Sequence, residues 1–188
     1  MKNEKEIIEI EGVKYGTLLS EKRLKAKIKN IAKKIFTDYQ SDLPPVLLIV
    51  TNGGMYFGIY LSMMLQDIGF SCPIDTVRIK RYAGDEQATN EVKITSYPTI
   101  SLLDRDVIVI EDIVDEGITL SFLNEYLKMQ KAKSIEYCVL AVKKDHKKLD
   151  FKIKYSILNN LGPEWLVGFG MDANFLFRGL RAIYSKLN

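Results

Sequence analysis

The sequence predicts an α/β fold, an open and mainly parallel sheet with helices packed on both faces. Three observations predict it. Short apolar runs alternate along the chain with stretches whose apolar residues recur at helical spacing. The β-branched run at 107–110 reads as a buried parallel strand, and helical spacing resumes at Leu120, Leu123 and Leu127. Unusual loops follow two of the strand candidates, in the place where α/β sheets bind ligands beyond the carboxyl ends of their strands.

The elements follow in order. Residues 7–10 form a first strand candidate, and 21–36 a helix with Leu24, Ile28, Ile31 and Ile35 on one face. A second strand at 46–51 runs into Thr51-Asn52-Gly53-Gly54, and a helical pattern covers 56–67. Strand 74–79 is followed by a polar stretch, 80–92, that reads as a flexible lid because it is long and lies between two strands of one domain. Strand 107–110, helix 120–131, strand 135–142 and strand 155–158 complete the alternation. Pro163, Trp165 and glycines at 162, 168, 170 and 179 predict an irregular C-terminal region.

Composition narrows the classes. With 188 residues, 47% hydrophobic and 27% charged, the chain suits a single globular domain. The net charge of +3 is mild. The one basic stretch, with Lys25, Lys27, Lys29 and Lys33, lies opposite the apolar face of its helix and reads as a solvated side, so no nucleic-acid partner is expected. No apolar stretch is long enough to cross a bilayer, and the N-terminal MKNEKEIIEIEG lacks the apolar core of a signal peptide. A cytoplasmic protein without a membrane partner is the expectation. Cys72 and Cys138 form no disulfide framework, Cys138 reading as a buried thiol. The lone His146, among lysines, excludes a His-rich metal site.

The chemistry concentrates in VIVIEDIVDEGIT, residues 107–119. A loop from a buried strand to a helix presents backbone N–H groups with the positive end of the helix behind them, a cradle for phosphate. Glu111, Asp112 and Asp115 set three carboxylates beside that cradle. They suit a ligand that also carries hydroxyl donors or hydrated Mg2+, such as a sugar phosphate.

With its two acids, two apolar residues and Asp115-Glu116-Gly117-Ile118-Thr119, this segment resembles the signature of the type I phosphoribosyltransferases, specifically the hypoxanthine-guanine branch. SEKRLKAKIKNIAKKI near the start, TNGGMYFGIYLSMML at 51–65, EVKI at 91–94 and WLVGFGMD at 165–172 fall in that family's order. The resemblance implies one domain over 1–188, with a core at about 36–160, a small hood from the N-terminal strand and 161–188, and the lid at 80–92. It implies purine salvage: ribose 5-phosphate passes from phosphoribosyl pyrophosphate to hypoxanthine or guanine, giving IMP or GMP and pyrophosphate with Mg2+ assistance. It further implies a homo-oligomer, dimeric or tetrameric. A protein that keeps the fold and the cradle but binds or regulates without turnover is the alternative.

By the same resemblance Asp115 is the general base, and Glu111, Asp112, Asp115, Glu116, Gly117, Ile118 and Thr119 hold the ribose phosphate. Asn52, Gly53, Gly54, Tyr82 and Arg178 meet pyrophosphate; Lys143, Trp165, Leu166 and Asp172 meet the purine; Glu111, Asp112 and Asp172 meet the metal. Three positions depart from the common pattern. Glu116 replaces a threonine and adds a fourth carboxylate beside the phosphate, Asn52 replaces a lysine, and Arg81 replaces the serine before Tyr82. The family often has a cis peptide where Thr51 joins Asn52.

Overall fold

The computed structural model describes residues 6–40, 43–82, 91–144 and 149–187, with the backbone alone at 81, 82 and 91. In chain order the elements are β1 (Ile7–Ile10), β2 (Val13–Leu19), α1 (Glu21–Asp38), β3 (Val46–Thr51), α2 (Met55–Gln66), β4 (Ile74–Tyr82), β5 (Glu91–Ser96), β6 (Asp106–Val114), α3 (Ile118–Met129), β7 (Ser134–Lys143), β8 (Tyr155–Leu161), β9 (Leu166–Val167) and β10 (Ile183–Lys186).

The larger sheet has the order β5-β4-β3-β6-β7-β8, parallel throughout except for the antiparallel edge strand β5. Its central strands alternate their buried side chains between two cores, as a pleated strand covered on both faces must. Leu47, Ile49, Ile108 and Ile110 face α1 and α2, meeting Leu24, Ile28, Phe57 and Leu61. Val46, Leu48, Val107 and Val109 face the other way, onto Leu120, Leu123 and Leu127 of α3. Each such side chain, removed from water, contributes roughly 1.5–3 kcal/mol before the chain entropy is subtracted. The α1 residues Lys29 and Lys33 stay exposed opposite this packing, so burial of one apolar face is what fixes that helix.

The winding reverses inside the sheet. β3 continues through α2 to its neighbour β4, whereas β6 continues through α3 to β7 on the opposite side. A crevice therefore opens beyond the carboxyl ends of β3 and β6.

The sequence stopped the central strand too early. The ladder of β6 to β7 continues through Glu111↔Val139, Ile113↔Ala141 and Val114↔Val142, so backbone pairing outlasts the apolar run and carries both acids on the strand. Only residues 115–117 turn, and α3 begins at Ile118. Gly117 caps that helix at φ +90°, and a Cβ there would lie 2.7 Å from Leu149 Cγ, so glycine alone fits the turn.

A second, antiparallel sheet has the order β1-β2-β10-β9. The sequence reading missed β2, whose Gly16 interrupts the apolar pattern, and the two short strands in the C-terminal region it expected to be irregular. That region does bend sharply between them, with positive φ at Gly168, Phe169, Gly170, Asn174, Phe175 and Phe177. Of the expected lid at 80–92, both ends are strand, while residues 83–90 lie outside the described residues, as does His146. No helix among the described residues is long and apolar enough to cross a membrane.

The two sheets meet at the crevice. A Cβ on Gly170, whose φ is +106°, would lie 2.0 Å from the carbonyl oxygen of Gly53, and one on Gly53 would lie 2.0 Å from Asp112 Oδ2. The backbone between β3 and α2 is thus sandwiched between Gly170 and Asp112, and the peptide bond joining Thr51 to Asn52 is cis. Gly170→Ala is expected to lower the unfolding free energy by about 2–4 kcal/mol, because it combines a left-handed backbone with a backbone clash. Urea denaturation of variant and parent checks this, an unchanged midpoint being the contrary result.

Candidate active site

Two cavities lie in the crevice and share a wall. The larger, about 310 Å3, is lined by Thr51 at the end of β3 and Gly53 just after it, by residues 111–120 at the end of β6 and the start of α3, and by Asp172 and Arg178 from the second sheet's connecting segment. The smaller, about 190 Å3, is lined by Lys143, Trp165, Leu166 and Met171. Asp112, Ile113, Asp115 and Asp172 line both. One elongated ligand with a compact polar part and a flat part fits such a pair.

Each wall has a physical origin. At the start of α3 the first hydrogen bond of the turn runs from Ser121 N–H to the Gly117 carbonyl, at 3.0 Å. The amides before it, at Ile118, Thr119 and Leu120, have no acceptor within the helix and face the cavity mouth with the helix dipole behind them. This end of the cavity has the donors that an anion requires.

The middle of the cavity is strongly acidic. Glu111, Asp112, Asp115, Glu116 and Asp172 line it against one guanidinium, Arg178. Glu111 is only 6% exposed, and its Oε1 accepts the N–H of Asp112 at 3.1 Å. Burial, reinforced by the Asp112 charge and a side-chain hydrogen bond to Asp112, raises the Glu111 carboxyl well above the usual carboxylate range. The pair is held under electrostatic load, which a cation or hydroxyl donors would relieve.

The cations present are partly neutralised. Lys143 Nζ, at the end of β7, lies 3.4 Å from Asp115 Oδ1 across the smaller cavity. Arg178 Nη2 lies 2.6 Å from Asp172 Oδ1, and its Nη1 donates to the Gly170 carbonyl at 2.5 Å. Asp172 Oδ2 accepts the N–H of Phe175 at 2.8 Å. The Trp165 ring, 57% exposed, lies at the cavity edge with Leu166 buried beside it.

Glu111, Asp112, Asp115, Glu116, Gly117, Ile118, Thr119, Gly53, Lys143, Trp165, Leu166, Asp172 and Arg178 are therefore brought together. Two residues from the sequence reading line neither cavity: Asn52 is exposed, and Gly54 is buried and spends its N–H on the Val50 carbonyl at 3.0 Å. The Tyr82 side chain lies outside the described residues. Among the described residues no three His, Cys, Asp or Glu side chains converge to hold an ion, and the Asp172 carboxylate meets Arg178 and the Phe175 N–H. The adjacent carboxylates of Glu111 and Asp112 fit Mg2+, which takes one or two protein carboxylates and completes its shell with water and substrate oxygens. The sequence reading also missed the apolar lining of Ile79, Ile113 and Met171. Ile113, one strand step past Asp112, was the only one its spacing would have revealed.

Comparison with known proteins bears on this geometry. The model of the phosphoribosyl transferase domain matches residues 14–174. The chain is 31% identical to the hypoxanthine-guanine phosphoribosyltransferase of Staphylococcus epidermidis, over 91% of this chain and 97% of that one. The solved structure of a hypoxanthine-guanine phosphoribosyltransferase from Bacillus anthracis superposes with a TM-score of 0.82 at 29% identity, covering 97% of this chain and 100% of that one. A hypoxanthine phosphoribosyltransferase variant from Trypanosoma cruzi, solved with its product IMP, superposes with a TM-score of 0.84 at 25% identity, covering 96% and 94%.

The load on Glu111 has a measurable sign. A raised carboxyl pKa means that the folded state favours the proton. The associated stability is fully present below the ordinary glutamate value and is lost as pH rises through the folded one. Glu111→Gln keeps the neutral form at every pH. In chelator and without ligand it is expected to melt a few degrees above the parent at pH 8, roughly 2–4 °C for each 1 kcal/mol relieved, with the gain vanishing towards pH 4. Melting curves across that range check it; a variant less stable than the parent at pH 8 would contradict the load.

Proposed function

The chain belongs to the phosphoribosyl transferase domain family, and from that premise we propose that it is a 6-oxopurine phosphoribosyltransferase of purine salvage, moving ribose 5-phosphate from phosphoribosyl pyrophosphate to hypoxanthine or guanine. The observation that carries this reading is the shared wall of the two cavities. Asp112, Ile113, Asp115 and Asp172 stand where a phosphate-cradling cavity joins one edged by an indole and an ammonium, so a nucleotide can lie across both.

The residues divide the work by their chemistry. The backbone of residues 115–119 would hold the 5-phosphate, since the Asp115 and Glu116 carboxylates offer it no hydrogen and leave the amides as its main donors. Glu111 and Asp112 would accept hydroxyl hydrogen bonds from the ribose and oppose the positive charge that grows at C1 as its bond to pyrophosphate breaks. A bond from the purine nitrogen to C1 replaces the broken one, and Asp115 would take or steer the proton the purine exchanges. The Lys143 ammonium, 3.4 Å from that carboxylate, places an anion and a cation together at the base-binding cavity. Trp165 offers a flat face for stacking and Leu166 a buried apolar backing.

Mg2+, bound at Glu111 and Asp112 together with substrate oxygens, would neutralise charge on the departing pyrophosphate. Asp172 can join only if Arg178 releases it, and pyrophosphate gives Arg178 a better anion to fork onto. Five carboxylates against one guanidinium make a metal-free polyanion a poor ligand here. Lys143 selects the base, since an ammonium has donors and no acceptor. It satisfies a 6-oxo group and leaves the 6-amino group of adenine unpaired.

A cytoplasmic homo-oligomer completes the proposal. Met55, Tyr56, Ile59 and Met63 form an exposed apolar row on α2, beside Tyr60 and Phe169, which a second copy would cover. Sedimentation is expected to show a species heavier than the 21.5 kDa chain, and Ile59→Asp to lower its mass; a parent that sediments as a monomer would sink this part.

Activity is tested by incubating the protein with phosphoribosyl pyrophosphate, Mg2+ and each purine base. IMP and GMP are expected and AMP is not; no nucleotide from any base would remove the enzyme reading. Asp115→Asn should lower kcat by about 10²–10⁴. A variant as fast as the parent would remove the proton role.

A further inference from the structure

Trp165 is the chain's only tryptophan, and one edge of its ring is tied down. The indole N–H donates to the backbone carbonyl of Asp172 at 3.0 Å. From that residue the polar contacts continue in one direction. The Asp172 carboxylate holds Arg178 at 2.6 Å, Arg178 holds the Gly170 carbonyl, the Gly170 N–H returns to the Arg178 carbonyl at 2.9 Å, and Gly170 abuts Gly53 in the loop after β3. This segment carries six residues at positive φ between 168 and 177, so its shape depends on such contacts rather than on regular secondary structure. The ring is otherwise more than half exposed, so a base stacking on it would restrict its plane.

We propose that Trp165 is a positioning residue for Asp172 and Arg178 as well as a platform for the purine, and that purine and Mg·pyrophosphate bind cooperatively through the indole N–H. The inference rests on the phosphoribosyl-transfer reading and adds a coupling between its two subsites. A phenylalanine would stack on the same base yet have no hydrogen to donate. By linkage the effect is reciprocal: each ligand tightens the other by the same factor, expected to be about fivefold or more.

The single tryptophan makes the test direct. Mg2+ and pyrophosphate, titrated into the wild-type protein without base, should change its tryptophan emission and saturate. Calorimetry should give hypoxanthine a Kd about fivefold lower with Mg·pyrophosphate present than without. In Trp165→Phe, whatever its hypoxanthine Kd without Mg·pyrophosphate, the coupling factor should fall to about one and the KM for phosphoribosyl pyrophosphate should rise. Coupling retained in Trp165→Phe overturns the proposal, as does its absence in the wild type. Should the variant not fold, the emission titration decides alone, and no change with Mg·pyrophosphate overturns the proposal. Wild-type protein that makes IMP but shows no coupling sinks this inference only; protein that makes no nucleotide sinks the function beneath it.

Discussion

The close approach of Gly170 to Gly53, with Asp112 against the other side, is the contact on which the site depends. It joins the segment between β9 and β10 to the carboxyl ends of β3 and β6, and neither partner carries a complete site. The parallel sheet supplies the phosphate cradle, the carboxylates and Lys143, while Trp165, Leu166, Asp172 and Arg178 come from the other side of that contact. Residue 170 can lie so close to the Gly53 carbonyl only without a Cβ, and Asp112 can lie so close to residue 53 only because that residue has none, so the glycines are as much a requirement of the site as its charges are.

Charge is the second constraint. An acidic cavity that must accept a polyanion is unfavourable when empty and favourable once a cation and hydroxyl donors arrive. Within the ligand-free protein the load is shared: burial keeps Glu111 proton-loving, Lys143 faces Asp115, and Arg178 faces Asp172. Each of these internal partners is a group that the proposed substrates would engage, so binding exchanges contacts inside the protein for contacts with ligand. Glu116 is exposed at the mouth of the cradle, where the common pattern has a threonine.

What the sequence disclosed was local. The strand, the acids and the turn at Gly117 could be read from one short segment, because period-2 burial and a helix start both leave their marks within a few residues. The end of β6 could not, since residues 111–114 are strand only through pairing with β7. β2 was hidden by Gly16, and β9 by its length of two residues. The contact of Gly53 with Gly170 and the bond from Trp165 to Asp172 belong to tertiary structure, and no spacing announces them. Roles for Lys143, Trp165 and Arg178 came from family resemblance; taken alone, each was an ordinary surface or core residue. Resemblance also suggested Gly54 and Asn52; the Gly54 N–H meets the Val50 carbonyl, and Asn52 lines neither cavity.

A crystal structure of the protein soaked with IMP, Mg2+ and pyrophosphate would test most directly whether the two cavities are one nucleotide site. The expected result has the 5-phosphate on the backbone of residues 115–119 and the purine between Trp165 and Lys143, with the 6-oxo group towards the ammonium. IMP bound elsewhere, or lying in the crevice with its base away from Lys143 and Trp165, would contradict it.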